Sequence, residues 1–259
     1  LHAAKISGIT KIFRVGGAQA IAAMSLGTET IPRVQKIFGP GNQYVTAAKQ
    51  YALSSGTPID MPAGPSELLI ITSSNSTAKY VASDLLSQAE HGPDSQVICL
   101  GCSEEKLKLI IEEIQVQLER LPRKEIARKA LEYSKFIVCE SEEEMLEFSN
   151  LYAPEHLIIA DEDFDKYVDK IQNAGSVFLG NYCPESAGDY ASGTNHTLPT
   201  AGFAKTYSGV NLDSFVKKIT FQKISKLGIQ NIGRTIEIMA EAEGLHAHKN
   251  AVSIRLNDL

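Results

Sequence analysis

Four short polar segments carry the side chains able to do chemistry. In the first, Gln88-Ala89-Glu90-His91-Gly92-Pro93, Gln88 and His91 are three residues apart before a Gly-Pro stop, so both leave one face of a last helical turn. An imidazole there is equally well explained by its favourable interaction with the helix dipole. In the second, Ala153-Pro154-Glu155-His156 precedes an apolar run. A proline turn thus sets two bases of different strength, which in water titrate near about 4.3 and 6.5, at the entrance of a buried strand, where proton abstraction is the natural chemistry. Taken alone the pair is weak, since many strands open with polar residues. The third segment runs from Pro184 to His196 and contains Asp189; the fourth, Glu243-Gly244-Leu245-His246-Ala247-His248, holds two histidines two apart. Those two cannot share a helical face, so at most one serves a site. Two Gly-rich turns, Gly16-Gly17-Ala18-Gln19 and Gly39-Pro40-Gly41-Asn42, suit phosphate approach, but neither is a G-x-G-x-x-G fingerprint, and by themselves they read as tight turns.

The elements that must hold these segments alternate. An Ala-rich helix is predicted at 17–26, a short strand near 36–39 and a helix at about 42–54. Short apolar runs at about 67–72, 95–101, 135–139, 156–160 and 175–179 predict strands, separated by helices at about 76–90, 103–120, 124–133, 141–151 and 163–173. Ser103 and Ser141, each followed by glutamates, read as N-caps with acidic first turns. The alternation implies right-handed βαβ units and a doubly wound, mostly parallel, Rossmann-like α/β fold. Residues 181–210 read as a long ordered loop, and from about 211 the chain reads as a helical arm. Three regions follow: a partial α/β unit at 1–62 with the Gly-rich turns, a Rossmann-like domain at 63–205 with most of the site, and a C-terminal helical arm at 206–259. Because residue 1 is Leu and residues 1–15 read like the middle of a fold, further chain is expected upstream.

Hydrophobic residues make up 43% of the 259, enough for a sizeable core; 25 Lys and Arg against 31 Asp and Glu give a net charge of −6. That balance gives no drive toward nucleic acid or an anionic membrane, so a small-molecule partner is expected. No run approaches the roughly 18 apolar residues of a membrane span and no secretory signal pattern opens the chain, which reads as cytoplasmic. The four cysteines are too few for a disulfide scaffold. Cys99 and Cys102 form a Cys-x-x-Cys but lack a second pair, and read as small apolar residues at the end of a buried strand.

Together the segments resemble the histidinol dehydrogenase family across essentially the whole chain. The resemblance rests on VGGAQAIAAMSLGTETIP at 15–32, KIFGPGNQYVTAAK at 36–49, IDMPAGPSE at 59–67, SDLLSQAEHGPDSQV at 83–97, APEHLII at 153–159, AGSVFLG at 174–180, PESAGDYASGTNHTLPT at 184–200 and AHKNAVSIR at 247–255. It implies that Gln88, His91, Asp189 and His248 ligate one zinc ion per site, a mixed oxygen and nitrogen set acceptable to zinc. It also implies that Ser66, His156 and Glu243 hold the substrate L-histidinol together with the metal ligands, that Glu155 and His156 are catalytic, and that Gln19 and Asn42 contact NAD. His196 and His246 are left structural. The implied reaction is a four-electron oxidation of histidinol to histidine through the aldehyde, with two NAD in turn, by a homodimer whose arms exchange to complete each site. The competing expectations are an inert zinc-binding, dimerising fragment and a family relative oxidising another small alcohol, such as a sulfonated diol.

Overall fold

The computed structural model describes residues 1–62 and 64–259. The elements are, in order, helices α1 (His2–Ile6), α2 (Gly17–Leu26) and α3 (Gln43–Ser54), strand β1 (Glu67–Thr72), α4 (Ala78–Ala89), β2 (Gln96–Gly101), α5 (Glu104–Leu118), α6 (Lys124–Glu132), β3 (Lys135–Val138), α7 (Glu142–Tyr152), β4 (His156–Ala160), α8 (Asp165–Val168), β5 (Ser176–Leu179), α9 (Glu185–Tyr190), α10 (Lys226–Ala242) and α11 (His246–Asn257). The five strands form one sheet in the order β3-β2-β1-β4-β5, every pair parallel.

Parallel strands buried on both faces need continuous apolar runs, and Leu68, Leu69, Ile70 and Ile71 of β1 supply one, each with no exposed surface. Alternate residues feed two cores. Leu68 and Ile70 join Val81, Leu85 and Leu86 of α4 and Ile110 and Ile114 of α5, while Leu69 and Ile71 face Met145 and Leu146 of α7 and Tyr167 of α8. Helices therefore cover both faces, the doubly wound arrangement expected, and each fully buried Leu or Ile contributes about 1.5–3 kcal/mol. The two predicted N-caps form: the Ser103 hydroxyl accepts from the Lys106 N–H and that of Ser141 from the Glu144 N–H, both at 3.2 Å.

Five expectations need correction. The strand near 36–39 reduces to a single bridge between Ile37 and Ile59. The helix at 163–173 closes after Val168, because Asn150 of α7 takes over the backbone beyond it: its amide donates to the Lys170 carbonyl, and its Oδ1 accepts from the N–H groups of Gln172 and Asn173. Within the predicted loop, Pro184 starts the short helix α9. The arm is not helical from 211: after a 3-10 turn at Leu212–Phe215, no helix forms until Ser225 caps α10 through the Gly228 N–H. Of the Cys-x-x-Cys, Cys99 is buried in the sheet as expected, whereas Cys102 is exposed just beyond β2.

The contacts divide the chain into two compact units, Leu1–Phe215 and Val216–Leu259. The second is a helical hairpin in which Gly233 of α10 lets Leu256 of α11 approach: a Cβ at 233 would stand 2.9 Å from a Leu256 methyl carbon. Lys249 and Glu241 pair across it at 2.7 Å. Among the described residues no helix is long and apolar enough to cross a membrane.

Candidate active site

β1 and β4 are neighbours in register, Leu68 opposite His156, so residues 66–67 and 155–156 meet at the amino ends of the two strands. α4 runs back along the sheet and brings Gln88 and His91 to that same edge. A cavity of about 280 Å³ opens there, lined by Ser66, His91, Glu155, His156, Glu185 and Asp189 among others.

The first residue of β1 fixes both members of the Glu155-His156 pair. The Glu67 N–H donates to Glu155 Oε2 at 2.9 Å, and the Glu67 carbonyl lies 3.2 Å from His156 Nδ1. A carbonyl only accepts, so Nδ1 carries the hydrogen and Nε2 keeps a free lone pair. The two side chains are 3.6 Å apart and both about 95% buried. Burial pushes the Glu155 carboxyl up to about 8, with the charges of Glu67 and Asp189 adding to the shift and hydrogen bonds from Glu67 and Ser66 opposing it. Burial likewise pulls His156 down to about 4. At neutral pH the pair is thus a protonated carboxyl beside a neutral imidazole.

The other wall is acidic. One donor atom each from His91, Glu185 and Asp189 lies within 4.8 Å of the others, and His91 Nε2 is 4.0 Å from Glu185 Oε1. Glu185 is 2% exposed; burial first, then the charges of Asp189, Glu155 and Asp84, push it up to about 9. Gln88, fully buried, sets one end of its amide 2.8 and 3.1 Å from the two Glu185 oxygens, and hydrogen bonds form there when that end is the NH2. Among the described residues lining the cavity there is no lysine or arginine. The cluster of His91, Glu185 and Asp189 could hold a cation, and its nitrogen and oxygen donors suit a divalent metal such as zinc.

Of the residues singled out in the sequence, Ser66, Gln88, His91, Glu155, His156 and Asp189 converge. Asn42 caps α3, its Oδ1 accepting from the Tyr44 and Val45 N–H groups at 3.1 and 3.2 Å, which leaves its NH2 end to meet a ligand. It lines an adjoining cavity that shares Ser66 and His91 with the first. Gln19 is exposed in the first turn of α2. Glu243 and His248 belong to the second unit, both exposed near the turn between α10 and α11. Sequence reasoning missed Glu185, hidden in a segment read as loop, and left His196 structural although it lines the cavity. The four-residue spacing of Glu185 and Asp189 was the available signal.

The model of the family described as histidinol dehydrogenase matches residues 1–256. The chain belongs to the histidinol dehydrogenase family. It is 58% identical over 259 residues to the histidinol dehydrogenase of Bacteroides thetaiotaomicron, covering 100% of this chain and 60% of that protein. To the chloroplastic histidinol dehydrogenase of Arabidopsis thaliana it is 55% identical over 262 residues, covering 100% of this chain and 56% of the relative. The crystal structure of histidinol dehydrogenase from Elizabethkingia anophelis superposes with a TM-score of 0.97 at 62% identity, over 99% of this chain and 59% of that one. The chain thus spans about three fifths of the length of the family members it matches.

Proposed function

We propose that this protein oxidises L-histidinol to L-histidine by way of histidinal, as a zinc- and NAD-dependent dehydrogenase of its family. The observation that carries the reading is that a neutral imidazole with a free Nε2, a buried carboxyl beside it and a cluster able to hold a cation line one small cavity. Gln88, His91 and Asp189 would hold the zinc with His248; Ser66, His156 and Glu243 would meet the substrate, and Gln19 and Asn42 would contact NAD. When bound, zinc supplies a template that orients the substrate, and NAD supplies the hydride acceptor for each of the two oxidations.

The chain's own groups do the proton work. His156 accepts the alcohol proton at Nε2 while Nδ1–H stays on the Glu67 carbonyl, which keeps the ring from turning. Beside a divalent cation Glu155 is the carboxylate, ready to take a proton from the water that adds to the aldehyde. No cysteine is among the described residues lining the cavity, in keeping with a route through water rather than a thioester. The second unit would carry Glu243 and His248 to the site of a second copy, giving an arm-exchanged homodimer. Exposed Leu227, Ile232, Ile238 and Met239 on α10 support a surface that a partner covers.

Turnover of histidinol with NAD by the full-length protein, before and after chelation, tests this. Activity lost to the chelator and regained with zinc is expected. Full activity in metal-free protein refutes the zinc assignment, and no turnover of histidinol refutes the substrate.

A further inference from the structure

Glu185 is the side chain in the cavity that the zinc reading leaves without a task. It opens α9, is 2% exposed, and faces the last turn of α4. Gln88 lies in the last turn of α4 with His91 two residues beyond that helix, and Glu185 and Asp189 are four apart along one face of α9. Glu185 meets Gln88 across the gap, its two oxygens 2.8 and 3.1 Å from one end of the amide, which hydrogen-bonds to them when that end is the NH2. With a cation bound, Glu185 is held as the carboxylate and can only accept, whereas an amide has one donating and one accepting end, so in that state the NH2 is the end facing Glu185. With 0% exposure, Gln88 has no water to offer its amide another partner.

We propose that Glu185 is a positioning residue, holding the Gln88 amide in the orientation that frees its carbonyl oxygen to serve as a donor to a cation shared with His91 and Asp189. The proposal rests on the metal reading above. A side-chain amide is a neutral, weak ligand, and half a turn about its last bond replaces the oxygen by a nitrogen that cannot ligate. Orientation therefore matters more for Gln88 than for an imidazole or a carboxylate. A carboxylate behind the NH2 fixes that torsion in the metal-bound site and draws charge toward the carbonyl oxygen, as outer carboxylates do for other metal ligands.

The test separates orientation from charge. Glu185→Gln and Glu185→Leu remove the same negative charge, but only the first keeps an acceptor for the Gln88 amide. Cobalt(II) affinity of the full-length protein is measured for both variants, with Gln88 present and in a Gln88→Ala background. With Gln88 present, Glu185→Leu is expected to bind cobalt(II) at least about tenfold more weakly than Glu185→Gln; in the Gln88→Ala background the two are expected to match within about twofold. The visible cobalt spectrum of Glu185→Gln at saturation is expected to equal that of the parent. Equal affinities with Gln88 present overturn the proposal, and so does a gap that persists without Gln88, the mark of a merely structural role. An altered spectrum at saturation overturns it in favour of Glu185 as a direct ligand. If Glu185→Leu does not fold, Glu185→Ala replaces it as the non-accepting variant. A parent that binds no cobalt(II) refutes the metal reading and the proposal with it, whereas a parent that binds with variants that do not separate refutes the proposal alone.

Discussion

Replacing Gly175 by alanine is expected to disable the site without altering any of its polar groups. Gly175 lies just before β5, against the backbone of residue 155. A Cβ there would stand 2.5 Å from the Glu155 carbonyl oxygen and 3.2 Å from Leu198 Cβ. Carbon and a carbonyl oxygen approach comfortably to about 3.3 Å, so the two backbones must part by about 0.8 Å. They are tied at this point by the Gly175 N–H to the Pro154 carbonyl and the Ser176 N–H to the Glu155 carbonyl, both 2.9 Å. Such a separation strains or breaks these bonds, costing about 1–3 kcal/mol. It also moves Glu155 and His156 relative to the wall of α4, and a misplacement approaching 1 Å costs about 100-fold in rate. Histidinol turnover by the full-length protein and the urea midpoint of the same preparation check both numbers. A Gly175→Ala protein with turnover within about threefold of the parent and an unchanged midpoint would refute the reasoning, since the close approach would then be relieved without consequence.

Two further outcomes follow from the site. His156→Asn is expected to lower kcat by at least about 100-fold while leaving zinc content close to the parent, because it removes a base and not a metal ligand; zinc lost on that substitution, measured by metal analysis, would contradict the assignment. In metal-free protein the carboxyls of Glu155 and Asp84 are raised from 4.5 to about 8 and from 3.8 to about 7, in both cases chiefly by burial. Glu185 is raised likewise, to about 9, while His156, lowered from 6.5 to about 4, opposes the trend below about pH 6.5; with three raised carboxyls against one imidazole the folded state holds more protons than the unfolded one up to about pH 9, so stability falls as pH rises through that window. Melting temperatures of the metal-free protein from pH 5 to 9 should decline accordingly, and a flat or rising profile would show that these carboxyls are not desolvated as described.

Much of this was legible in the amino-acid order because it depends on neighbours in sequence. Apolar runs such as Leu68–Ile71 and the helical spacing between them announce strands and helices, and Ser103 and Ser141 announce their caps within three residues. The family was likewise legible, because long segments around Gln88, Glu155, Asp189 and His248 occur in a fixed order. What the sequence left undecided are contacts between distant residues. The Glu67 N–H that holds Glu155 is 88 positions away from it, the Gly64 N–H reaches the Thr200 hydroxyl across 136, and Asn150 ends a helix some twenty residues downstream. Nor does periodicity reveal which edge of a sheet holds a site. Doubly wound sheets usually bind ligands at the carboxyl ends of their strands, yet here Glu67, Glu155 and His156 gather at the amino ends of β1 and β4. Only tertiary structure decided that, and only it brought Glu185 from a segment read as loop against Gln88. A buried carboxylate takes its meaning from the groups that surround it in space, and burial is a property of the packed chain.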